Sequence, residues 1–322
     1  MNELEIKDLS FGYKTSAIRN VSFTVAKGKV TALIGASGSG KSTILKLVAG
    51  FLKPETGSIT IGGERVASSH HMVPPQKRGI GLVFQNHSLL PHLTVRKNIA
   101  FGYVGVRANR DKRIKQLLRD FHIEKLAERY PHEISGGESQ RVALARAMAA
   151  SPNLFIMDEP FSSIDSALRR ELRTECMQIL RRNNTTVLLV THEAEEAMEL
   201  ADHLVVIDNG EVLQTGTPRE VYYHPQHPQV AELFGEINHL TDSNFINELT
   251  GVHNEDLLLR PESIELTTNC DGILGTIIFI QYRGSYDLLS VVVKGKRCLK
   301  VKAYHHRHKL GDKVHINARQ KI

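Results

Sequence analysis

The chain has 322 residues and a mass of 36.0 kDa, room for one large domain and a smaller one. Lysine and arginine number 41 against 35 aspartates and glutamates, and a net charge of +6 singles out neither nucleic acid nor an anionic membrane as a partner. Three cysteines, Cys176, Cys270 and Cys298, without CxxC spacing, argue against a disulfide framework and against zinc. The opening MNELEIKDLSFGY has no apolar core of the signal-peptide kind, and no apolar run reaches the roughly 18 residues of a spanning helix, so a membrane role is expected to come through a partner.

In chain order, Leu4–Ile6 and Ala17–Val25 read as strands. Val30–Ile34 (VTALI) reads as a buried strand entering a glycine-rich loop, and Ser42–Ala49 as a helix broken by Gly50 and Pro54. Gly79–Phe84 is a further apolar strand. Ile114, Leu117, Leu118, Phe121 and Leu126 recur at helical spacing across Asp111–Arg129. A second helix is expected from near Ser135 to Ala150, then a buried strand Leu154–Met157 that ends in acids. Ser166–Arg181 is helical, with Leu168, Leu172, Cys176 and Ile179 on one stripe. Val187–Val190 is a strand, Glu193–Ala201 a helix and Leu204–Ile207 a strand. This alternation predicts an α/β domain over 1–235 with a mainly parallel, helix-covered sheet.

Near Phe234 the character changes. Leu257–Arg260, Ile273–Tyr282, Tyr286–Val293 and Cys298–Ala303 are β-rich, with turns at Gly284, Gly295 and Gly311. A small all-β barrel or sandwich is expected over 236–322. Residues 236–271 hold eight acids and one arginine, whereas 283–322 hold eleven Lys/Arg and two acids, which predicts complementary faces within that domain. The run Tyr304–Lys309 (YHHRHK) is read as a solvated basic tip rather than a metal site.

Two elements carry chemistry. Gly35–Thr43 reads GASGSGKST, a strand–loop–helix phosphate loop. Gly35, Ala36, Ser37, Gly38, Ser39 and Gly40 let successive N–H groups curl toward phosphate oxygens, and a helix N-terminus adds positive potential. Lys41 is placed to reach the β- and γ-phosphates of ATP, and Ser42, followed by Thr43, to ligate Mg²⁺ through its hydroxyl. Downstream, LFIMDEP delivers Asp158 and Glu159 to a strand's C-terminal end, Asp158 to hold Mg²⁺ and Glu159 to deprotonate the attacking water.

Ile134–Arg141 (ISGGESQR) resembles the signature of ABC transporter ATPases, and the resemblance covers about the first 235 residues with every motif in order. It implies a P-loop NTPase domain with a helical subdomain at about 86–150. It also implies that Tyr13 stacks on adenine, and that Gln85 senses Mg²⁺ and the permease, serving catalysis and metal alike. Ser135, Gly136, Gly137 and Glu138 would cover the γ-phosphate of a partner subunit's ATP. Asp165 would lie in the loop crossing the dimer interface, and His192 would contact the γ-phosphate. The family usually has leucine and glutamine where this chain has Ile134 and Glu138, and Glu138 is expected to set a carboxylate near the nucleotide and weaken closure slightly.

Phe84–Gly102 and Arg260–Leu266 (RPESIEL) resemble importer ATPases with an OB-like C-terminal domain, here serving dimer contact or regulation. The resemblance implies a homodimer bound to two membrane-spanning permease subunits at the cytoplasmic face of the cell membrane. A periplasmic or lipoprotein solute-binding protein would take part indirectly, and no nucleic acid is expected, since long coiled coils and a second motor copy are lacking. A groove around Gln85–Gly102, with Leu89, Leu90, Leu93, Val95 and Arg96, is expected to receive a short permease helix. Val73–Gly102 and Leu233–Leu240 look most like ferric-iron importers; polyamine, sulfate/thiosulfate and molybdate importers are the alternatives.

Overall fold

The computed structural model describes residues 1–13, 16–84, 89–162, 164, 166–267, 272–304 and 307–318. Gln85, Asp165 and the side chain of Tyr13 lie outside the described residues, as does Cys270. The chain divides into two compact units, Met1–Arg219 and Glu220–Ile322.

The first unit opens with β1 (Asn2–Tyr13) and β2 (Ser16–Ala26), followed by β3 (Val30–Ile34), α1 (Lys41–Ala49), β4 (Thr56–Ile61), β5 (Glu64–Ser68) and β6 (Ile80–Val83). Three helices come next: α2 (Val95–Phe101), α3 (Arg107–Asp120) and α4 (Gly136–Met148). The unit continues through β7 (Leu154–Asp158), α5 (Ser166–Arg182), β8 (Thr186–Thr191), α6 (Ala194–Leu200), β9 (His203–Asp208) and β10 (Glu211–Gly216).

Two sheets result. One is antiparallel, in the order β2-β1-β4-β5; the other runs β10-β9-β3-β8-β7-β6, parallel from β9 through β6 with β10 antiparallel at its edge. All five residues of β3 and all six of β8 are buried, as a parallel strand covered on both faces requires. Leu4, Ile6 and Leu9 from the antiparallel sheet join Leu33, Ile156 and Leu188 from the parallel one and Ile44 and Leu47 of α1 in one core. At about 1.5–3 kcal/mol per buried aliphatic side chain, that core dominates the unit's cohesion.

Helix α3 stops earlier than the apolar spacing predicts. The pattern points to a helix reaching Arg129, but His122 takes φ 55 and the chain leaves the helix at Phe121. The apolar positions remain buried all the same, Phe121 at 1% exposure and Leu126 at 8%, because a short 3₁₀ turn at Glu124–Leu126 carries on the same packing. The strands β4, β5 and β10 and the helix α2 add to the elements expected from sequence.

The far end of α1 is fixed by Arg78. Its guanidinium donates to the carbonyls of Leu47 and Val48 at 2.9 and 2.7 Å and to Val73 at 2.8 Å, satisfying groups that a helix C-terminus leaves open. Gly50 closes the helix at φ 89, and a Cβ there would meet the Arg78 Nε at 2.6 Å.

In the second unit, α7 (Pro218–Tyr223) carries the division and α8 (Pro228–Leu233), β11 (Asn238–Leu240), α9 (Ser243–Thr250) and β12 (Leu257–Leu259) follow. The strands β13 (Ile264–Thr267), β14 (Ile273–Tyr282), β15 (Asp287–Val293), β16 (Arg297–Ala303) and β17 (Lys313–Ala318) form an antiparallel sheet in the order β13-β17-β14-β15-β16. Five antiparallel strands are what an OB-like domain needs. The strand-rich reading did not anticipate α9, whose N-terminus is capped by the Asp242 carboxylate accepting from the Asn244 and Phe245 N–H groups.

The sequence junction at 235/236 lies later than the division into units. Arg260, 3% exposed, donates from its guanidinium to the carbonyls of Tyr222, Ala231, Gly235 and Glu236 and ties the segment before the junction to β12. The acidic and basic stretches meet through Arg297–Asp242 and Arg283–Glu236.

Cys176 on α5 is 1% exposed and burial pushes its thiol up to about 12, whereas Cys298 is exposed. At neutral pH a maleimide is expected to label Cys298 in the folded protein and Cys176 only after denaturation, read by residue-resolved mass mapping. Rapid native labelling of Cys176 would contradict the packing of α5.

Candidate active site

Strand order decides which side chains meet. In the parallel sheet Ile34 is in register with Thr191, and Asp158 with Val190. Gly35, Glu159 and His192 each follow a strand end, and neighbouring strands lie about 5 Å apart. The three segments therefore converge at the carboxyl edge of the sheet, where open α/β folds bind ligands.

The loop from Gly35 to Gly40 is shaped by two glycines. A Cβ on Gly35 would sit 2.1 Å from the Ile207 carbonyl oxygen and 2.7 Å from Ser39 Oγ, so no larger residue fits. Gly40 takes φ 107 at the N-cap of α1, a left-handed conformation that glycine adopts without strain. The Ser39 N–H donates to the Ala36 carbonyl at 3.2 Å, and the Gly210 N–H to that of Ser39 at 3.0 Å. Lys41 is 6% exposed, and its ammonium donates to the carbonyls of Gly35 and Ala36, each at 2.8 Å. Burial lowers the Lys41 pKa, and the charges of Glu159 and Asp158 oppose that shift.

The two acids sit differently. Burial, and then the neighbouring Glu159, raise the Asp158 pKa, while Lys41 and Lys46 pull it down. Glu159 has φ 45. Its N–H donates to the Val190 carbonyl at 2.9 Å, and its own carbonyl accepts from Ser162 Oγ at 2.9 Å. Its carboxylate Oε1 lies 2.8 Å from His192 Nδ1. Glu159 and His192 join Ser37, Gly38 and Gly40–Thr43 in lining a cavity of about 330 Å³.

Of the residues singled out from sequence, the phosphate loop, Glu159 and His192 are thus brought together, with Asp158 in electrostatic reach of Lys41. Ser135, Gly136, Gly137 and Glu138 are not part of that lining; Ser135 is the N-cap of α4. The Glu138 carboxylate accepts from both the N–H and the hydroxyl of Ser135, each at 2.8 Å, and Ser135 Oγ accepts from the Glu138 N–H at 3.4 Å. Those bonds, aided by Arg129 and Arg141, hold the Glu138 pKa below the usual carboxylate range. The Ser-x-x-Glu spacing is a capping box, a signal the sequence offers directly.

Sequence reasoning missed the charges behind His192. Arg169 and Arg173 on α5 both donate to the carboxylate of Glu193. Four-residue spacing of two arginines on one helix face was the available signal.

The family model for ABC transporters matches residues 18–162. The chain is 41% identical to the Fe(3+) ions import ATP-binding protein FbpC 2 of Rhodococcus jostii over 302 residues, covering 90% of this chain and 86% of that protein. It is 39% identical to the sulfate/thiosulfate import ATP-binding protein CysA of Synechocystis sp. over 325 residues, covering 94% and 90%. Among solved structures, a dimeric ATP-binding cassette, MJ0796, in a post-hydrolysis state bound to ADP and Pi superposes with a TM-score of 0.57 at 28% identity, covering 67% of this chain and 99% of that one. Phosphate loop, paired carboxylates, signature and overall likeness agree: the chain belongs to the ABC transporter family, as an ATP-binding subunit that hydrolyses ATP.

Proposed function

We propose that this chain is the motor of a binding-protein-dependent importer and that ferric iron is its solute. Two copies pair head to tail, each ATP lying between one copy's Gly35–Thr43 loop and the other's Ser135–Gly137. Closure and hydrolysis drive two membrane-spanning permease subunits at the cytoplasmic face of the cell membrane, fed by a periplasmic or lipoprotein binding protein. No helix among the described residues is long and apolar enough to cross a membrane. The observation that carries the reading is the Glu159–His192 pair, 2.8 Å apart, in one cavity with Lys41.

Lys41 binds the β- and γ-phosphates, and the N–H groups of the loop surround them. Glu159 takes the proton of the attacking water while His192, bonded to it, fixes the carboxylate and faces the γ-phosphate. Tyr13 on adenine, Gln85 as sensor and Asp165 at the dimer interface take the roles the family resemblance gives them. A magnesium ion fits the site on charge. Asp158 is pushed toward its neutral form by burial and by Glu159, and a divalent cation would offset that excess of negative charge. Ser42 and Asp158 would hold it together with phosphate oxygens, and it would neutralise charge on the transferring phosphoryl group.

For the permease contact, a cavity of about 680 Å³ is lined by Leu82 and Leu90 beside Phe101 and Val104, which are 69% and 80% exposed. A short apolar helix suits that surface. Of the residues expected there only Leu90 belongs to that lining; Leu89, Leu93, Val95 and Arg96 do not, and Val95, at 1% exposure, is interior. We assign the second unit, Glu220–Ile322, to dimer contact or regulation.

The solute rests on likeness, because the motor never touches it. Relatives named for ferric iron and for sulfate/thiosulfate match to similar degrees. Uptake of labelled ferric iron, sulfate and spermidine in a deletion strain decides, and unchanged iron uptake with loss of another solute replaces iron by that solute.

Glu159→Gln is expected to retain ATP binding and lower turnover by about 10²–10⁴-fold, while Lys41→Ala weakens binding itself. Wild-type hydrolysis by Glu159→Gln would remove Glu159 as the base. Asp158→Asn removes a carboxyl whose raised pKa makes its ionised form a burden on the folded chain above that pKa. At pH 7 without nucleotide this variant is expected to melt a few degrees higher than wild type and to lose magnesium-dependent hydrolysis. A lower melting temperature would contradict the charge argument.

A further inference from the structure

Behind the Glu159–His192 pair the structure closes a ring of contacts through Arg169 and Glu193, two residues that no motif of the nucleotide site contains. Arg169 of α5 donates from Nη1 to Glu193 Oε1 at 2.8 Å. The same guanidinium reaches the Ile164 carbonyl from Nε and Nη2 at 3.2 and 2.9 Å, and the Ser162 carbonyl from Nη2 at 3.4 Å. Arg173, 6% exposed, holds the other oxygen of Glu193. The Glu193 N–H donates to Thr191 Oγ1 at 3.0 Å, and the Thr191 hydroxyl donates to the buried Glu196. Both carboxylate oxygens and the backbone of Glu193 are therefore committed, and the residue before it is His192.

The ring closes on the other side through Ser162, whose hydroxyl donates to the Glu159 carbonyl at 2.9 Å. Going round, Glu159 is tied to Ser162, Ser162 and Ile164 to Arg169, Arg169 to Glu193, and His192 back to the Glu159 carboxylate. A planar guanidinium can span a carboxylate and a carbonyl at once, which an ammonium cannot. We propose that Arg169 is a positioning residue that couples the Ser162 and Ile164 carbonyls to His192 through Glu193, so that the alignment of His192 with Glu159 follows the position of those carbonyls.

This rests on the proposed roles of Glu159 and His192. It goes beyond them by giving those carbonyls a mechanical route to the attacking water: a shift in their position displaces Arg169, and with it the segment that holds the imidazole. With side-chain exposures of 24% and 28%, Arg169 and Glu193 are mostly withdrawn from water, so removing either leaves its partner short of a counter-charge, and folding has to be followed beside the chemical step.

The test uses the full-length chain and steady-state ATP hydrolysis, with melting temperatures measured alongside. Arg169→Ala is expected to lower kcat about ten- to hundredfold, the scale of a misplaced catalytic group, while KM for MgATP stays within about twofold. Glu193→Ala should do the same, and the double variant should be no slower than the slower single one, because both break one ring. Arg169→Lys, which is expected to fold even where the alanine variant does not, should lower kcat less, with KM again unchanged. An Arg169→Ala or Arg169→Lys enzyme at the wild-type rate, multiplicative losses in the double variant, or a rise in KM at constant kcat would each overturn the coupling. Glu159→Gln run in parallel separates the two readings. If it is inactive while Arg169→Ala is fully active, only the coupling falls; if it hydrolyses ATP normally, the site reading falls and the coupling with it.

Discussion

Glu159 stands in the left-handed backbone region, which costs a non-glycine residue about 1–2 kcal/mol, and the site depends on that turn being held. In an extended strand Asp158 and Glu159 would face opposite sides of the sheet. The turn at Glu159 ends β7, and both acids act on Lys41 while Glu159 also bonds His192. Two backbone bonds and one hydroxyl oppose the strain. The Glu159 N–H is tied to Val190 of the next strand, and its carbonyl to the N–H and hydroxyl of Ser162. The strain is local, but the parts that hold it are a neighbouring strand and the loop that Arg169 also grips.

The same logic explains why α1 is fastened at both ends. Its N-terminus carries Lys41, whose ammonium is largely withdrawn from water, and burial of a cation is tolerated only where acceptors or anions surround it. Two loop carbonyls and the charges of Asp158 and Glu159 supply that surrounding. A helix free to slide would break the fit, and Arg78 on the carbonyls of Leu47 and Val48 prevents it. The Arg78 side chain acts at the end of α1 far from the phosphate loop. Gly50 belongs to the same device, since any side chain there would displace the guanidinium.

What could be read from sequence was what local physics encodes. The stretch VTALIGASGSGKST states strand, turn and helix within a few residues, and LFIMDEP states a buried strand that must end at two acids, so the chemistry was legible before any contact was known. The early end of α3 was not, because an apolar spacing continues across the turn at His122 and buries the same residues in a different backbone. The ring through Arg169 and Glu193 was hidden for another reason. Its members are 24 residues apart, and only the order of β7 and β8 in the sheet brings them together. Likewise Arg260 reads as part of a family motif in sequence, while its four carbonyl partners are visible only in three dimensions.

Glu138 shows how a departure from the family pattern can be folded into local structure. A carboxylate beside a signature helix reads as a repulsive charge toward nucleotide. In the chain its first action is attractive: it takes both hydrogen-bond donors of Ser135 and holds its own pKa low in doing so. On the proposed head-to-tail arrangement, a γ-phosphate arriving at Ser135 meets donors already occupied by an anion, so closure exchanges one anion for another rather than filling an open site. The exchange replaces a carboxylate partly exposed to water with a phosphate of higher charge, which favours closure, and it releases Glu138 into the field of Arg129 and Arg141, which softens the cost. Repulsion between Glu138 and the phosphate remains against it. Which contribution dominates is set by how far Glu138 can turn from Ser135 on closure.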